Sequence, residues 1–232
     1  MKAMILAAGR GERLRPLTER VPKPMLVVGG EPLIVHQVRW LRRAGIREVV
    51  VNLHHLGEQI ERRLGNGDDL GVRIRYSREP ELLDTGGGIR NALPHLGPGP
   101  FVIVNGDVWT NYRFGRLLRI DTGSAHLVLT PTPKHKDKAD FHVEPVTDPL
   151  RVRRGPSDDL TYCGIAVLHP ALFGGSPEGP FPLTDLLFPA AAEGTLGGEI
   201  FAGAWIDIGS HDQLKEARRR ADGHVPDPPA AK

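Results

Sequence analysis

The sequence predicts an α/β fold, a mostly parallel central sheet flanked by helices, on three observations. Apolar runs of four to seven residues alternate with amphipathic stretches through the first half of the chain, the pattern of repeated βαβ units. The runs are rich in Val, Ile and Leu, as strands covered on both faces are. Glycines stand where the amphipathic stretches stop. Strands are expected at Ala3–Ala8, Glu48–Asn52, Val72–Tyr76 and Phe101–Asn105. One helix runs from about Pro32 to Gly45 with Ile34, Val38 and Leu41 on a face, and a second carries Leu56, Ile60 and Leu64 up to Gly65. From about Ala125 the pattern is less regular. Strands at Ala125–Thr130, Phe141–Val146 and Thr161–Leu168 are separated by charged or proline-rich loops, so the sheet is expected to turn mixed. Thr184–Ala192 reads as a helix and Trp205–Ile208 as a short strand. Ser210-His211-Asp212-Gln213 matches a capping box that opens a last helix to about Arg220.

No repeat of 20 to 50 residues is present, which excludes a solenoid. The 232 residues, 40% of them apolar, suffice for one core without a disulfide or metal staple. A single domain is expected over 1–221, followed by a disordered tail over 222–232. The one cysteine, Cys163, leaves no internal disulfide and no cysteine-based zinc site, and is ordinary for a reducing compartment. The apolar start is too short to span a membrane and has no signal-peptide cleavage pattern, so a cytoplasmic protein is expected. A net charge of +2 is too balanced for a general nucleic-acid or membrane binder. Any anion site must be local.

The first candidate for such a site is Leu6-Ala7-Ala8-Gly9-Arg10-Gly11-Glu12-Arg13, a strand running into a glycine-rich loop. Glycine lets backbone N–H groups close around phosphate oxygens. Residues 10 to 23 hold five cations (Arg10, Arg13, Arg15, Arg20, Lys23) against two acids, which suits a polyphosphate. Neither the dinucleotide fingerprint nor a P-loop fits the spacing. Lys23 stands between Pro22 and Pro24, which stiffen its backbone for a phosphate clamp. Asp84-Thr85-Gly86-Gly87-Gly88 precedes a helix expected from Ile89 and offers bare backbone to a base edge or an anion. Asn105-Gly106-Asp107 ends an apolar strand at the carboxyl edge of the sheet, where ligands of open α/β sheets bind. Asp207, in Trp205-Ile206-Asp207-Ile208, is the best second carboxylate for a Mg²⁺ shared with substrate phosphates. Each motif alone has a plainer reading: a solvated basic loop, a surface turn, a mobile glycine loop, an N-cap or hairpin aspartate. No serine-hydrolase elbow or histidine-based zinc set is present.

In this order and spacing, LAAGRGERLRPLT (6–18), PKPM (22–25), DTGGGI (84–89), FVIVNGDVWTNY (101–112) and WIDIGS (205–210) resemble the sugar-1-phosphate nucleotidyltransferases, or nucleotide-sugar pyrophosphorylases. Within that family the likeness is to the N-acetylmuramate 1-phosphate uridylyltransferases of peptidoglycan recycling, and it covers about residues 1 to 220. The resemblance implies a Rossmann-like, glycosyltransferase-A type fold and Mg²⁺ as cofactor. It implies UTP and a sugar 1-phosphate as substrates, pyrophosphate as product, and a monomer or small homo-oligomer. By matching motif, Arg13 and Lys23 are the catalytic cations. Leu6, Ala8, Gly9, Gly11, Glu12, Arg13, Lys23, Thr85, Gly86, Gly87 and Asn105 fall to the nucleotide, Asp140 and Gly164 to the sugar, and Asp107 with Asp207 to the metal. One departure is that Val143-Glu144-Pro145 lacks the lysine of the Glu-Lys-Pro by which many hexose-1-phosphate relatives hold the sugar phosphate. Asp84, where a glutamate is commoner, is a second. The alternatives are a guanylyl-, thymidylyl- or uridylyltransferase acting on mannose, heptose or glucose 1-phosphate, and a non-catalytic nucleotide-sugar-binding subunit. Whether the charged loop Lys134–Asp140 closes over substrate stays open.

Overall fold

The computed structural model of the chain describes residues 1–134, 136–144, 150–155 and 157–223. In chain order the elements are β1 (Lys2–Leu6), the single turn α1 (Leu17–Arg20), β2 (Val27–Val28), β3 (Glu31–Pro32), α2 (Leu33–Arg43), β4 (Glu48–Leu53), α3 (Gly57–Leu64), β5 (Arg73–Arg78), α4 (Asp84–Leu96), β6 (Phe101–Asn105), β7 (Val108–Thr110), β8 (Ala125–Pro131), β9 (His142–Glu144), β10 (Leu150–Arg153), β11 (Leu160–Leu168), α5 (Thr184–Glu193), β12 (Leu196–Ile200), β13 (Trp205–Asp207) and α6 (His211–Asp222). Among the described residues, nine strands form one sheet in the order β5-β4-β1-β6-β11-β8-β12-β10-β9. The first four run parallel, β11 is antiparallel to both neighbours, and β12 lies parallel to β8, so the sheet is mixed as expected.

Residues of β1 and β6 point alternately into two cores. Ala3, Ile5, Val102 and Val104 pack with α2 and α3, whereas Met4, Phe101 and Ile103 pack with α4 and α5. A third cluster joins Leu14, Leu33, Trp109, Ile206 and Leu214, seating the first loop and α6 beside the sheet. The expected strand at the start of the chain ends at Leu6, so Ala7 and Ala8 lead out of the sheet. Asn52 takes the next bond: its side-chain oxygen accepts the Ala7 N–H at 2.7 Å.

Three expectations are corrected. The helix expected from Ile89 begins at Asp84 and contains the three glycines. Ile208 lies outside the short strand, which ends at Asp207. β2, β3, β7, β10 and β12 form where no strand was expected; β12 (LGGEI) has little apolar content and is recruited by its neighbours β8 and β10. The expected strand over Phe141–Val146 is described only as β9; Val146 lies outside the described residues, as do Pro145 and 224–232 of the expected tail.

Candidate functional site

The first loop is built around a left-handed Gly11 (φ 65°), where a Cβ would sit 2.9 Å from the Thr18 methyl. Thr18 donates its hydroxyl to the Gly11 carbonyl at 2.8 Å, and Leu14 is buried, so the loop is pinned at both ends. Around these anchors Gly9, Arg10, Glu12 and Arg13 are exposed. The Arg13 guanidinium lies against Gly209, where a Cβ would fall 2.8 Å from Nη2. The second loop turns at Pro22–Met25 and directs Lys23 to Asp107: Nζ is 2.6 Å from Oδ2, and the two side chains are 15% and 25% exposed.

Asn105-Gly106-Asp107 follows β6 in a tight turn held from beneath. Gly106 donates its N–H to the Leu6 carbonyl at 2.8 Å, and a Cβ there would strike that oxygen at 2.5 Å. Gln37 is fully buried on α2 and donates to the carbonyls of Asn105 and Val108 at 2.9 Å each. β7 then pairs antiparallel with β13, placing Asp207 opposite Val108, while Ile208 donates to the Asp107 carbonyl at 2.9 Å. Two carboxylates a hundred residues apart are thereby joined through the backbone. Gln213 orients the second: Nε2 donates to Asp207 Oδ1 and Oε1 accepts from the Gly209 N–H, both at 2.9 Å. Ser210 caps α6 by accepting the Gln213 N–H, as the capping box predicts.

Both acids wall a cavity of about 210 Å³ with Asn105, Asp140, Gly164 and Trp205. Asp140 accepts the Tyr162 N–H at 3.0 Å, and Trp205 donates Nε1–H to the Cys163 carbonyl at 2.8 Å. Gly164 lies in the bulge where β11 and β8 shift register, with φ 69°; a Cβ there would lie 2.6 Å from Asn105 Nδ2. Glycine is required there because the left-handed backbone and the Asn105 amide leave no room for a side chain. Lys136 closes another side, its Nζ 3.4 Å from Asp207 Oδ2 and 5.5 Å from the centre of the Trp205 ring. Burial pushes the Cys163 thiol well above its ordinary range, so it is a protonated wall residue rather than a nucleophile.

The 84–88 segment is placed differently. Thr85 Oγ1 accepts the Leu183 N–H at 2.8 Å, and the N–H groups of Gly86 and Gly87 donate to the Phe181 carbonyl at 2.9 and 3.1 Å. A Cβ would meet the Phe181 ring at 2.3 Å from Gly86, the Gly179 carbonyl at 2.3 Å from Gly87, and Glu79 Oε1 at 2.6 Å from Gly88. These glycines admit close packing inside the protein. Glu79 links them to the first loop, accepting from Asn52 at 2.7 Å and from the Leu83 N–H at 3.1 Å. Burial raises the Glu79 carboxyl pKa, partly offset by these bonds.

For a divalent cation the donor set fits. Two carboxylates, one in the turn before β7 and one at the end of β13, face one cavity, and Asp107 Oδ1 is buried without a hydrogen-bond partner, an oxygen whose burial a cation would offset. Mg²⁺ commonly uses one or two carboxylates and completes its shell with substrate phosphates and water. Among the described residues no cluster of three or more His, Cys, Asp or Glu offers an all-protein cage.

The structure thus brings Lys23, Asn105, Asp107, Asp140, Gly164 and Asp207 together, with Arg13 beside Gly209, and sets Thr85–Gly87 against the 179–183 segment. Gln37, Lys136 and Tyr162 were given no role by the sequence motifs, and Gln213 was read only as part of the capping box. For Gln37 the visible sign was a polar side chain on the same face as Ile34 and Val38.

The nucleotidyl transferase family model matches residues 2–152. An N-acetylmuramate alpha-1-phosphate uridylyltransferase of Neisseria meningitidis serogroup B is 42% identical over 228 residues, covering 95% of this chain and 98% of that protein. One from Caulobacter vibrioides is 32% identical, covering 94% and 96%. A Bacillus anthracis structure described as a glucose-1-phosphate thymidylyltransferase in complex with sucrose superimposes with a TM-score of 0.82 over 94% of each chain at 22% identity, which shows a shared fold. With that fold, a full-length relative at 42% identity and a basic loop beside two paired carboxylates, the chain belongs to the nucleotidyl transferase family.

Proposed function

We propose that this protein condenses UTP with N-acetylmuramate 1-phosphate to give the UDP-sugar and pyrophosphate, with Mg²⁺, in the cytoplasm. The observation that carries the chemistry is the meeting of Asp107 and Asp207 at one cavity, with Lys23 on the first acid and Arg13 against Gly209, two residues beyond the second. The choice of base and sugar rests on the Neisseria and Caulobacter relatives, whose lengths the chain matches almost fully.

In the reaction a phosphate oxygen of the sugar attacks the α-phosphorus of UTP, and the bond to the β-phosphate breaks in line. Both reactants are anions, so positioning and charge neutralisation supply most of the catalysis and no nucleophilic side chain is needed. Asp107 and Asp207 would hold Mg²⁺, which when bound neutralises and orients the phosphates. Gly9, Gly11, Glu12 and Arg13 border the triphosphate, and the exposed Arg13 answers charge on the leaving pyrophosphate. Lys23, held on a proline-stiffened turn, presents its ammonium at the α-phosphate end. Leu6 and Ala8 form the floor at the end of β1, and Thr85, Gly86 and Gly87 shape the wall on the base side. Asn105, Asp140 and Gly164 line the acceptor side. The test is a grid of nucleoside triphosphates against sugar 1-phosphates, read by pyrophosphate release. UTP with N-acetylmuramate 1-phosphate is expected to give the highest kcat/KM; GTP with mannose 1-phosphate as the best pair, or no release from any pair, overturns the assignment.

A further inference from the structure

We infer that Lys136 binds the 1-phosphate of the acceptor sugar, a role that rests on the proposed function and adds a residue to it. The argument begins with charge. Three carboxylates, Asp107, Asp140 and Asp207, line the cavity, and an acceptor phosphate entering it meets a wall hostile to anions. Among the described residues Lys136 is the one Lys or Arg that lines it. Its ammonium is also placed in advance. Trp205, fixed by its bond to the Cys163 carbonyl, carries the Lys136 cation over its ring, and Asp207 Oδ2 holds Nζ at 3.4 Å.

That hold is exchangeable. The two side chains are 29% and 24% exposed and their separation is longer than a charge-assisted hydrogen bond, which makes the pair weak. A phosphate with at least one full negative charge competes for such an ammonium. Lys23 stands on Asp107 at the first-loop side and Lys136 on Asp207 at the cavity side, so each of these two acids has one cation and each reactant finds one. No lysine on the neighbouring strands competes for the task. Glu144 on β9 is held at 3.0 Å by Arg153, whose Nη1 donates to the carbonyls of Ala191 and Ala192. Lys134 and Lys138 do not line the cavity.

The test uses the full chain and two variants. Lys136→Met keeps an apolar stem over Trp205 and removes the charge; Lys136→Arg keeps the charge, and thermal melting checks that both fold. Calorimetry on the nucleotide-free protein compares N-acetylmuramate 1-phosphate with unphosphorylated N-acetylmuramate, and steady-state kinetics gives KM for acceptor and UTP separately. Lys136→Met is expected to weaken the phosphorylated sugar about tenfold or more, the worth of a hydrogen bond to a charged group. The unphosphorylated sugar and the KM for UTP are expected to stay within about twofold, and Lys136→Arg to retain most of the affinity. Equal losses for both sugars, a rise confined to the KM for UTP, or unchanged acceptor binding with a lower kcat overturn the inference and make Lys136 only the partner of Asp207. Wild-type protein that releases no pyrophosphate from any pair fails the proposed function, while phosphate-dependent sugar binding lost in Lys136→Met still upholds this assignment; no binding of any sugar phosphate ends both.

Discussion

Asp107→Asn separates the electrostatic role of the acid from its structural one. Asn preserves the shape and leaves Lys23 one oxygen to approach, so the loss to the fold is the charged part of a bond between groups 15% and 25% exposed. A hydrogen bond to a charged group contributes about 1.5–3 kcal/mol; allowing for residual solvent screening and the oxygen retained, the cost is about 1 kcal/mol. In a domain of this size that lowers the melting temperature by about 2–4 °C. The cost to the reaction is larger: removal of a preorganised charge that orients the phosphates costs about 10²–10³ in kcat, or about 3–4 kcal/mol. Melting curves and pyrophosphate release at saturating Mg²⁺ are measured together, with Lys23→Met and the double variant. The double variant is expected to recover part of the melting temperature lost in Asp107→Asn, since it removes an ammonium left without a charged partner, and to recover none of the activity. Near wild-type turnover of Asp107→Asn at saturating Mg²⁺, or activity that follows the melting temperature through the cycle, refutes the metal assignment.

Gly164→Ala places a Cβ 2.6 Å from Asn105 Nδ2 on a backbone with φ 69°, so it is expected to cost about 1–2 kcal/mol from backbone conformation alone and to raise the KM for acceptor; an unchanged melting temperature counts against the bulge as a rigid wall. Tyr162→Phe removes a hydroxyl that is buried without a partner and whose ionisation burial pushes far above the ordinary range, and is expected to stabilise the free protein by about 1 kcal/mol in chemical denaturation. A destabilised variant would mean that the hydroxyl is satisfied in solution. Glu79, 4% exposed, has its folded pKa raised above its unfolded value, chiefly by burial. Its favourable contribution is complete below the unfolded pKa and is lost as pH rises through the folded one. Wild type is therefore expected to lose stability relative to Glu79→Gln across that window, and a pH-independent difference would contradict the burial of the charge.

The parallel half of the sheet was legible because β1, β4 and β6 are covered on both faces, which leaves an unbroken apolar run in each. β12 carries no such mark. Its two glycines are weak strand formers, and Gly198 is there because the Val152 side chain fills the place of its Cβ, 2.5 Å away. The run of glycines in α4 misled for a related reason. Glycine disfavours helix, yet here it permits the approach of Phe181, Gly179 and Glu79 that fixes the first turn. At the site, the chemistry of Asp107 and Asp207 could be read from acids set in apolar strands. Their neighbours could not: Gln37 and Lys136 act on residues 68 and 71 positions away, and local pattern carries no information about such pairs.

The pairing of β7 with β13 also sets a timetable for synthesis. Asp107 is synthesised one hundred residues ahead of its counterpart at 207, so the parallel strands exist before the carboxylate pair can form. A nascent polypeptide arrested between Thr110 and Trp205 contains the four parallel strands and the basic loop, yet holds half of the carboxylate pair. Turnover therefore waits on the synthesis of β13, and chains that stop before Trp205 are expected to be inert.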